Sequence, residues 1–270
     1  MSLAQPNRMP TDRSVDLFDG LLLALLVLLA SYIQATAGFS FSIVLVAVGS
    51  ILNLASVWSL TEFAAFLVIV NVTAALFGST VRPDWRVVTP ILIGMVPAIG
   101  LGVWALFWLG EDNVYVATIA LGALTIVASI GLLVRIGVRP HPSGQGHRVI
   151  TGTVAGLLGG ALAAPGPPLV LTLYKEPLPL SVIRMSLLAI LLAYGLIRVI
   201  FVQVAEPTDR GDLLLILLYT PMSLGGVWLA NRFPPPLSDM GFRKMCFLIL
   251  VFVGVLLLVD GVLLSIDHRA

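Results

Sequence analysis

Two apolar stretches of the chain are each interrupted by small, polar or proline residues. The second, 151–174, carries Pro165 at the start of a Pro-Gly-Pro-Pro break, and the first contains, in order, Gln34, Thr36, Gly38, Phe39, Ser40 and Ser42. A helix that begins inside a membrane leaves its first backbone N–H groups unpaired and carries partial positive charge at that end. Such a helix end can hold an anion. These residue types therefore predict anion binding by backbone amides together with neutral hydroxyl and amide side chains.

The second interruption offers fewer backbone donors than the first. Two of the residues after Pro165 are prolines without an N–H group, so the donors that remain are Gly166, Leu169 and Val170. Proline in the first turn of a helix loses no intrahelical hydrogen bond, and a short helix can therefore still begin here. Tight packing without any ligand would explain either interruption alone, whereas two matched interruptions favour a binding site.

Charged residues are rare within the apolar runs, and Arg198 is the clearest case. An arginine inside a membrane span is a functional candidate by default. Arg198 could attract an anion, or it could pair with Asp260 near the end of the last apolar run; the sequence leaves both open. Arg184, on the same predicted span, is expected to extend toward the lipid headgroups.

The apolar runs contain no catalytic set of the kind that an intramembrane enzyme needs. The three histidines lie in a polar loop and near the end of the chain. The single cysteine, Cys246, excludes an intrachain disulfide and a cysteine-cluster metal site. We therefore expect no enzymatic activity, no metal and no cofactor.

The composition places these interruptions in a lipid bilayer. Of 270 residues, 59% are hydrophobic and only 11% are charged, against about 25% charged residues in soluble proteins. The net charge is +1 and the basic residues are dispersed, which argues against a nucleic-acid partner. The sequence predicts a multi-pass protein of the cell (inner) membrane.

The order of apolar runs predicts an all-α polytopic protein in two similar parts. The boundaries are a polar tail at 1–17, a membrane repeat at 18–136, a polar connecting loop at 137–147 and a second repeat at 148–270. Each repeat begins with a broken segment, the first covering 21–55, which is too long for one span of ~20 residues. Three ordinary spans follow in each repeat: 58–78, 87–109 and 114–136, then 180–203, 212–231 and 244–264.

One detail supports duplication, and the breaks suggest how the copies are oriented. Pro97 and Pro221 are each followed by Gly-Val-Trp at the same spacing. If each broken segment is re-entrant, each repeat crosses the membrane an odd number of times, and the two repeats are inverted. The distribution of Lys and Arg barely discriminates this topology from plain spans. A signal peptide cleaved near 35–37 is a weaker alternative, because the apolar run continues past that site.

The two interruptions also resemble the signatures of a known family. Residues 33–41, Ile-Gln-Ala-Thr-Ala-Gly-Phe-Ser-Phe, resemble the first glycine-rich signature of the TauE/SafE family of sulfite and organosulfonate exporters. Residues 156–171, GLLGGALAAPGPPLVL, resemble its second signature, and Arg184 and the Pro-to-Gly spacing also fit. The resemblance covers about residues 18–265. Ser40 and Gly49 depart from it, since glycine and proline often stand there, and this leaves the exact substrate open.

The resemblance implies a duplicated helical fold that transports small sulfur-containing anions. Combined with the helix-end argument, it predicts an exporter that works by alternating access, with the anion held at opposed half-helix N-termini. Two alternatives stay open: transport of another small anion, such as a carboxylate, on the same fold, and an assembly protein whose breaks serve only packing. The sequence is also compatible with a homo-oligomer.

Overall fold

The computed structural model is built from α-helices joined by short connections. It describes residues 17–109, 139–205 and 210–267, except positions 53, 56, 78, 235 and 237, together with scattered positions between 115 and 130. No residue in these ranges forms a β-strand, which confirms the all-α prediction. The helices are α1 (Leu17–Ala37), α2 (Phe41–Ile51), α3 (Val57–Phe77), α4 (Trp85–Leu109), α5 (Gln145–Leu162), α6 (Gly166–Leu173), α7 (Leu180–Ala205), α8 (Arg210–Arg232) and α9 (Asp239–Asp267).

Within the described ranges, five helices are long and apolar enough to cross a membrane. These are α1, α3, α4, α7 and α8, and α9 contains a further apolar run, Phe247–Leu263. Large apolar side chains such as Leu214 and Leu217 are exposed on the outer surface, where acyl chains would solvate them. The polytopic membrane fold is thereby confirmed. The predicted span 114–136 and the polar tail lie largely outside the described residues.

Both predicted interruptions are breaks between helices, and both contain left-handed backbone. After α1, Gly38 has φ 82° and Ser40 has φ 89°, and after α5, Ala163 has φ 52°. The left-handed region costs an L-residue about 1–2 kcal/mol, so Ser40 and Ala163 are held there by their surroundings. α6 then begins with two prolines in its first turn, where proline is readily accommodated.

The short helices that follow the breaks, α2 and α6, lie in the interior of the bundle. Every residue from 34 to 46 is buried, and so is every residue from 163 to 170. Hydrocarbon cannot pair the free backbone groups of a broken helix, and such groups persist at membrane depth only inside protein or beside a polar cavity. The fold satisfies that condition for both breaks.

A glycine row allows α5 to pack on α4 at backbone distance. Gly152, Gly156 and Gly160 recur every four residues and share one helix face. A Cβ at Gly156 would lie 2.5 Å from the carbonyl oxygen of Met95, and the other two glycines face α4 carbonyls in the same way. The α4–α5 pair is therefore in direct backbone contact, as small residues permit between membrane helices.

The helix contacts occur in matched pairs across the two parts of the chain. α4 packs along α5 and α8 packs along α1, while α2 packs on α3 and α6 on α7. Individual positions match as well: Gly102 approaches the Leu157 carbonyl as Gly226 approaches the Leu28 carbonyl. The first helix of each broken segment, α1 or α5, thus packs on a helix from the other part of the chain. The two parts are therefore interleaved.

Candidate functional site

The two breaks meet at a cavity in the centre of the bundle. A Cβ at Gly166 would lie 3.8 Å from the Cβ of Phe39 and 3.6 Å from the Cδ1 of Ile43, so the breaks are in van der Waals contact. The cavity beside them is narrow, with room for about one water molecule. Its polar or backbone-exposing lining comes from Gln34, Ser40, Ser42, Pro165, Gly166 and Tyr194, and its apolar lining comes from Phe41, Ile43, Val68, Ala163 and Leu191.

Two buried side chains on this cavity have donors without partners. Gln34, 1% exposed, accepts a hydrogen bond from the Phe41 N–H through Oε1 at 3.0 Å, whereas its Nε2 has no partner. The hydroxyl of Ser40 has no partner either. A buried polar group left unpaired costs about 1–3 kcal/mol. Two such groups on one cavity make it the candidate site for a polar ligand.

The start of α2 adds backbone donors to these side chains. The Gln34 side chain pairs with the Phe41 N–H, and the Val44 N–H donates to the Ser40 carbonyl at 2.9 Å. Among the described residues, none accepts a hydrogen bond from the N–H of Ser42 or Ile43. The positive end of the α2 dipole therefore lies at the cavity with two unpaired amides.

The second break contributes less than the sequence predicts. The cavity lining includes Pro165 and Gly166 but not Leu169 or Val170. Val170 is the fifth residue of α6, where an N–H can already pair with the carbonyl of the first helical residue. The contribution of this break is therefore centred on Gly166.

Three further predicted residues, Thr36, Gly38 and Phe39, shape the first break without lining the cavity. The Thr36 hydroxyl donates to the carbonyls of Tyr32 and Ile33 at 2.9 and 3.0 Å. Gly38 supplies a left-handed turn. The ring of Phe39 packs edge-on against the ring of Tyr174, with 6.2 Å between the two ring centroids. Of the residues proposed from the sequence, the structure thus gathers Gln34, Ser40, Ser42, Pro165 and Gly166 around one cavity.

Arg198 lies behind the cavity wall, 2% exposed. Its Nε donates to the Gly159 carbonyl at 3.2 Å and its Nη1 to the Thr61 carbonyl at 3.1 Å. These two hydrogen bonds of Arg198 therefore go to backbone carbonyls. The Tyr194 hydroxyl donates to the same Gly159 carbonyl at 2.8 Å, so Arg198 reaches the cavity through a residue that lines it.

Besides several apolar residues, the sequence did not predict one polar residue of the cavity lining, Tyr194. A tyrosine within an apolar run is typical of the core, and nothing local distinguishes it. Its position four residues before Arg198 places both side chains on one face of α7. That spacing is the signal that could have found it.

Asn71 makes a contact in the first part of the chain that is similar to one made by Arg198 in the second. Asn71 Nδ2 donates to the Ser31 carbonyl at 3.4 Å. Ser31 precedes Gly38 by the same number of residues as Gly159 precedes Gly166. A carbonyl before each break is thus bound by a neutral amide in the first part and by a charged guanidinium in the second.

Together, the broken helices and the buried cavity define a polytopic membrane protein with a polar site inside its bundle, the class of structure used by transporters with discontinuous helices. The family model described as "Sulfite exporter TauE/SafE" matches residues 23–257. The chain belongs to this family, whose members are membrane transporters and not enzymes. The predicted resemblance is thereby confirmed.

A curated relative carries a name consistent with the family. The "Probable sulfite/organosulfonate exporter TauE" of Cupriavidus necator is 28% identical over 232 residues, which cover 86% of this chain and 91% of the relative. No solved structure gives a significant match.

Proposed function

We propose that this protein exports a small sulfur-containing anion, sulfite or an organosulfonate, across the cell (inner) membrane and binds it between the starts of α2 and α6. The observation that carries the proposal is the pair of buried, unpaired donors, Gln34 Nε2 and Ser40 Oγ, on one cavity. The sulfur chemistry of the anion is suggested by the family and by the name of the relative.

The cavity has the polarity that an anion requires. Its polar edge presents the amide and hydroxyl donors of Gln34 and Ser40 and the free amides at the start of α2. None of the described lining residues carries a carboxylate. The opposite wall is apolar, and the low polarity of such surroundings strengthens hydrogen bonds to a charged ligand. These properties favour an anion over a cation.

The interleaved fold supports alternating access by two inverted repeats. The matched contacts of α1 with α8 and of α5 with α4 are those expected of duplicated halves. Because backbone contact leaves no room for side-chain rearrangement, each of these pairs moves as a unit. The breaks at the centre then stay close to the anion while the flanking pairs open one face and close the other.

The test is transport by the purified protein in proteoliposomes. Sulfite-loaded vesicles should release sulfite at a rate that depends on the protein, while acetate should move much more slowly. Ser40→Ala should raise the half-saturating sulfite concentration roughly tenfold, since a hydrogen bond to a charged group contributes about 1.5–3 kcal/mol. Ser265→Ala is the matched control, because that hydroxyl donates to the Val262 carbonyl at the end of α9.

The alternatives predict different outcomes in the same assay. Equal transport of acetate and sulfite would favour a carboxylate transporter. If the folded protein moved neither anion, a role in assembly would be the better explanation.

A further inference from the structure

Arg184 lies near the start of α7, against the break between α1 and α2. Its backbone carbonyl oxygen and its Cγ would lie 3.3 and 3.4 Å from a Cβ at Gly38. Its Nε is buried and has no hydrogen-bond partner. The sequence predicts that this side chain extends toward the headgroups. In the structure its stem packs against the first break.

The charge of Arg184 is not neutralised within the described part of the chain. Two acids lie at this end of the bundle. Glu176 is bound by Arg148 at 3.0 Å and also accepts a hydrogen bond from the Ser143 N–H at 3.1 Å. Asp84, whose N–H donates to the Ser186 hydroxyl at 3.0 Å, accepts through its carboxylate from the Arg86 N–H at 3.0 Å. No ion pair or hydrogen bond joins the Arg184 side chain to any described residue. A guanidinium stays charged, and a partly buried charge without a partner costs free energy that a bound anion would offset.

The break connects Arg184 directly to the cavity. The Tyr174 hydroxyl donates to the Ala37 carbonyl at 2.7 Å and so fixes the turn beside Arg184. Gly38 contacts Arg184 on one side of this turn, and Ser40, two residues later, lines the cavity with its unpaired hydroxyl. The stem of Arg184 therefore contacts the chain two residues before the Ser40 hydroxyl of the proposed anion site.

We propose that Arg184 forms a separate binding subsite for an oxyanion at the entrance to the cavity and delivers the anion to Ser40 and Gln34. The inference rests on the proposed function, because it assigns a second subsite on the path of the same anion. The planar guanidinium can pair with two oxygens at once, and sulfite and sulfonates present two oxygens in that arrangement. A lipid phosphate offers the same chemistry, so the test separates the two sources.

The test compares Arg184→Gln and Arg184→Lys with Arg232→Gln, an exposed arginine at the end of α8. Initial rates of transport are measured against sulfite concentration in proteoliposomes. Arg184→Gln should raise the half-saturating concentration roughly tenfold and change the maximal rate less than about twofold, while Arg184→Lys should give a smaller rise. The Arg232→Gln variant should match the unmodified protein.

A folded Arg184→Gln variant with an unchanged half-saturating concentration would overturn the subsite. A second result would also overturn it: Arg184→Gln lowers the thermal stability of the protein in lipid vesicles but leaves the half-saturating sulfite concentration unchanged. That result would mean that the guanidinium binds a lipid phosphate. If Arg184→Gln does not fold, the lysine variant decides: a raised half-saturating concentration supports the subsite, and an unchanged one contradicts it.

A binding measurement separates failure of the subsite from failure of the proposed transport function. If the unmodified protein transports no sulfite, calorimetric titration of sulfite into nanodisc-embedded protein tests the subsite by itself. Binding that is lost in Arg184→Gln and kept in Arg232→Gln supports it, and absence of binding to the unmodified protein overturns it.

Discussion

Gln34 joins the structure of the first break to its proposed chemistry. Its Oε1 accepts a hydrogen bond from the Phe41 N–H at the start of α2, and its Nε2 has no partner among the described residues. A residue with only an acceptor could satisfy the helix, and a residue with only a donor could satisfy the anion. The side-chain amide does both, which explains why an amide suits this position better than a carboxylate.

Gln34→Glu should separate these two roles. A carboxylate can still accept from the Phe41 N–H at the positive end of α2, so the melting temperature should change little. The same carboxylate lacks the donor and repels an anion, so sulfite transport should fall at least tenfold. Transport rates and thermal unfolding of the detergent-solubilised variant check both expectations. Loss of folding together with transport would show that the two roles are not separable.

The sequence predicted individual functional candidates where an unusual residue type occurs within an apolar run. Ser40 and Arg198 could be picked out because a hydroxyl beside glycine and a charge among aliphatics are conspicuous. The hydrogen-bond partners of Arg198 could not be predicted, because they are the backbone carbonyls of Gly159 and Thr61. Every residue has such a carbonyl. Local sequence identifies a group that needs a partner, and only the tertiary fold selects the partner.

At the scale of the helices, the glycine row of α5 determines how closely that helix can approach α4. The row makes α5 a poor isolated helix, since glycine costs about 1 kcal/mol per position relative to alanine. Its backbone contact with α4 compensates for that cost. The sequence identifies the row as one helix face, but it does not say which helix packs there, because the partner contributes ordinary aliphatic positions through their carbonyls.

Alanine substitutions along α5 should have opposite effects at two glycines. A Cβ at Gly156 would lie 2.5 Å from the Met95 carbonyl oxygen, whereas a Cβ at Gly146 would meet nothing within 4 Å. Gly156→Ala should therefore lower the melting temperature and the transport rate, because α5 must move away from α4. Gly146→Ala should leave the melting temperature unchanged or raise it slightly, by the gain in helix propensity. Equal effects of both substitutions would contradict the assigned helix contact.

For the whole molecule, periodicity and length predicted most of the described spans to within a few residues, as well as the positions of both breaks. They did not predict the interleaving of α1 with α8 and of α5 with α4. Spans of similar length and hydropathy have no local preference for one neighbour over another, and that choice depends on shape complementarity along whole helices. The same limit applies to the cavity, whose lining comes from five separate helices and the turns between them.

Cross-linking should test whether the two breaks move relative to each other during transport. A Cβ at Gly166 would lie 3.8 Å from the Cβ of Phe39, the separation typical of a disulfide. In a Cys246→Ser background, oxidation of Phe39→Cys/Gly166→Cys should stop transport, and reduction should restore it. The matched control is Ser31→Cys/Ser223→Cys, which joins α1 to α8 where the two hydroxyls are 3.1 Å apart. Under the proposed mechanism that pair moves as a unit, so its oxidation should leave transport intact. Continued transport by the oxidised break pair would mean that the anion passes while the two breaks stay fixed.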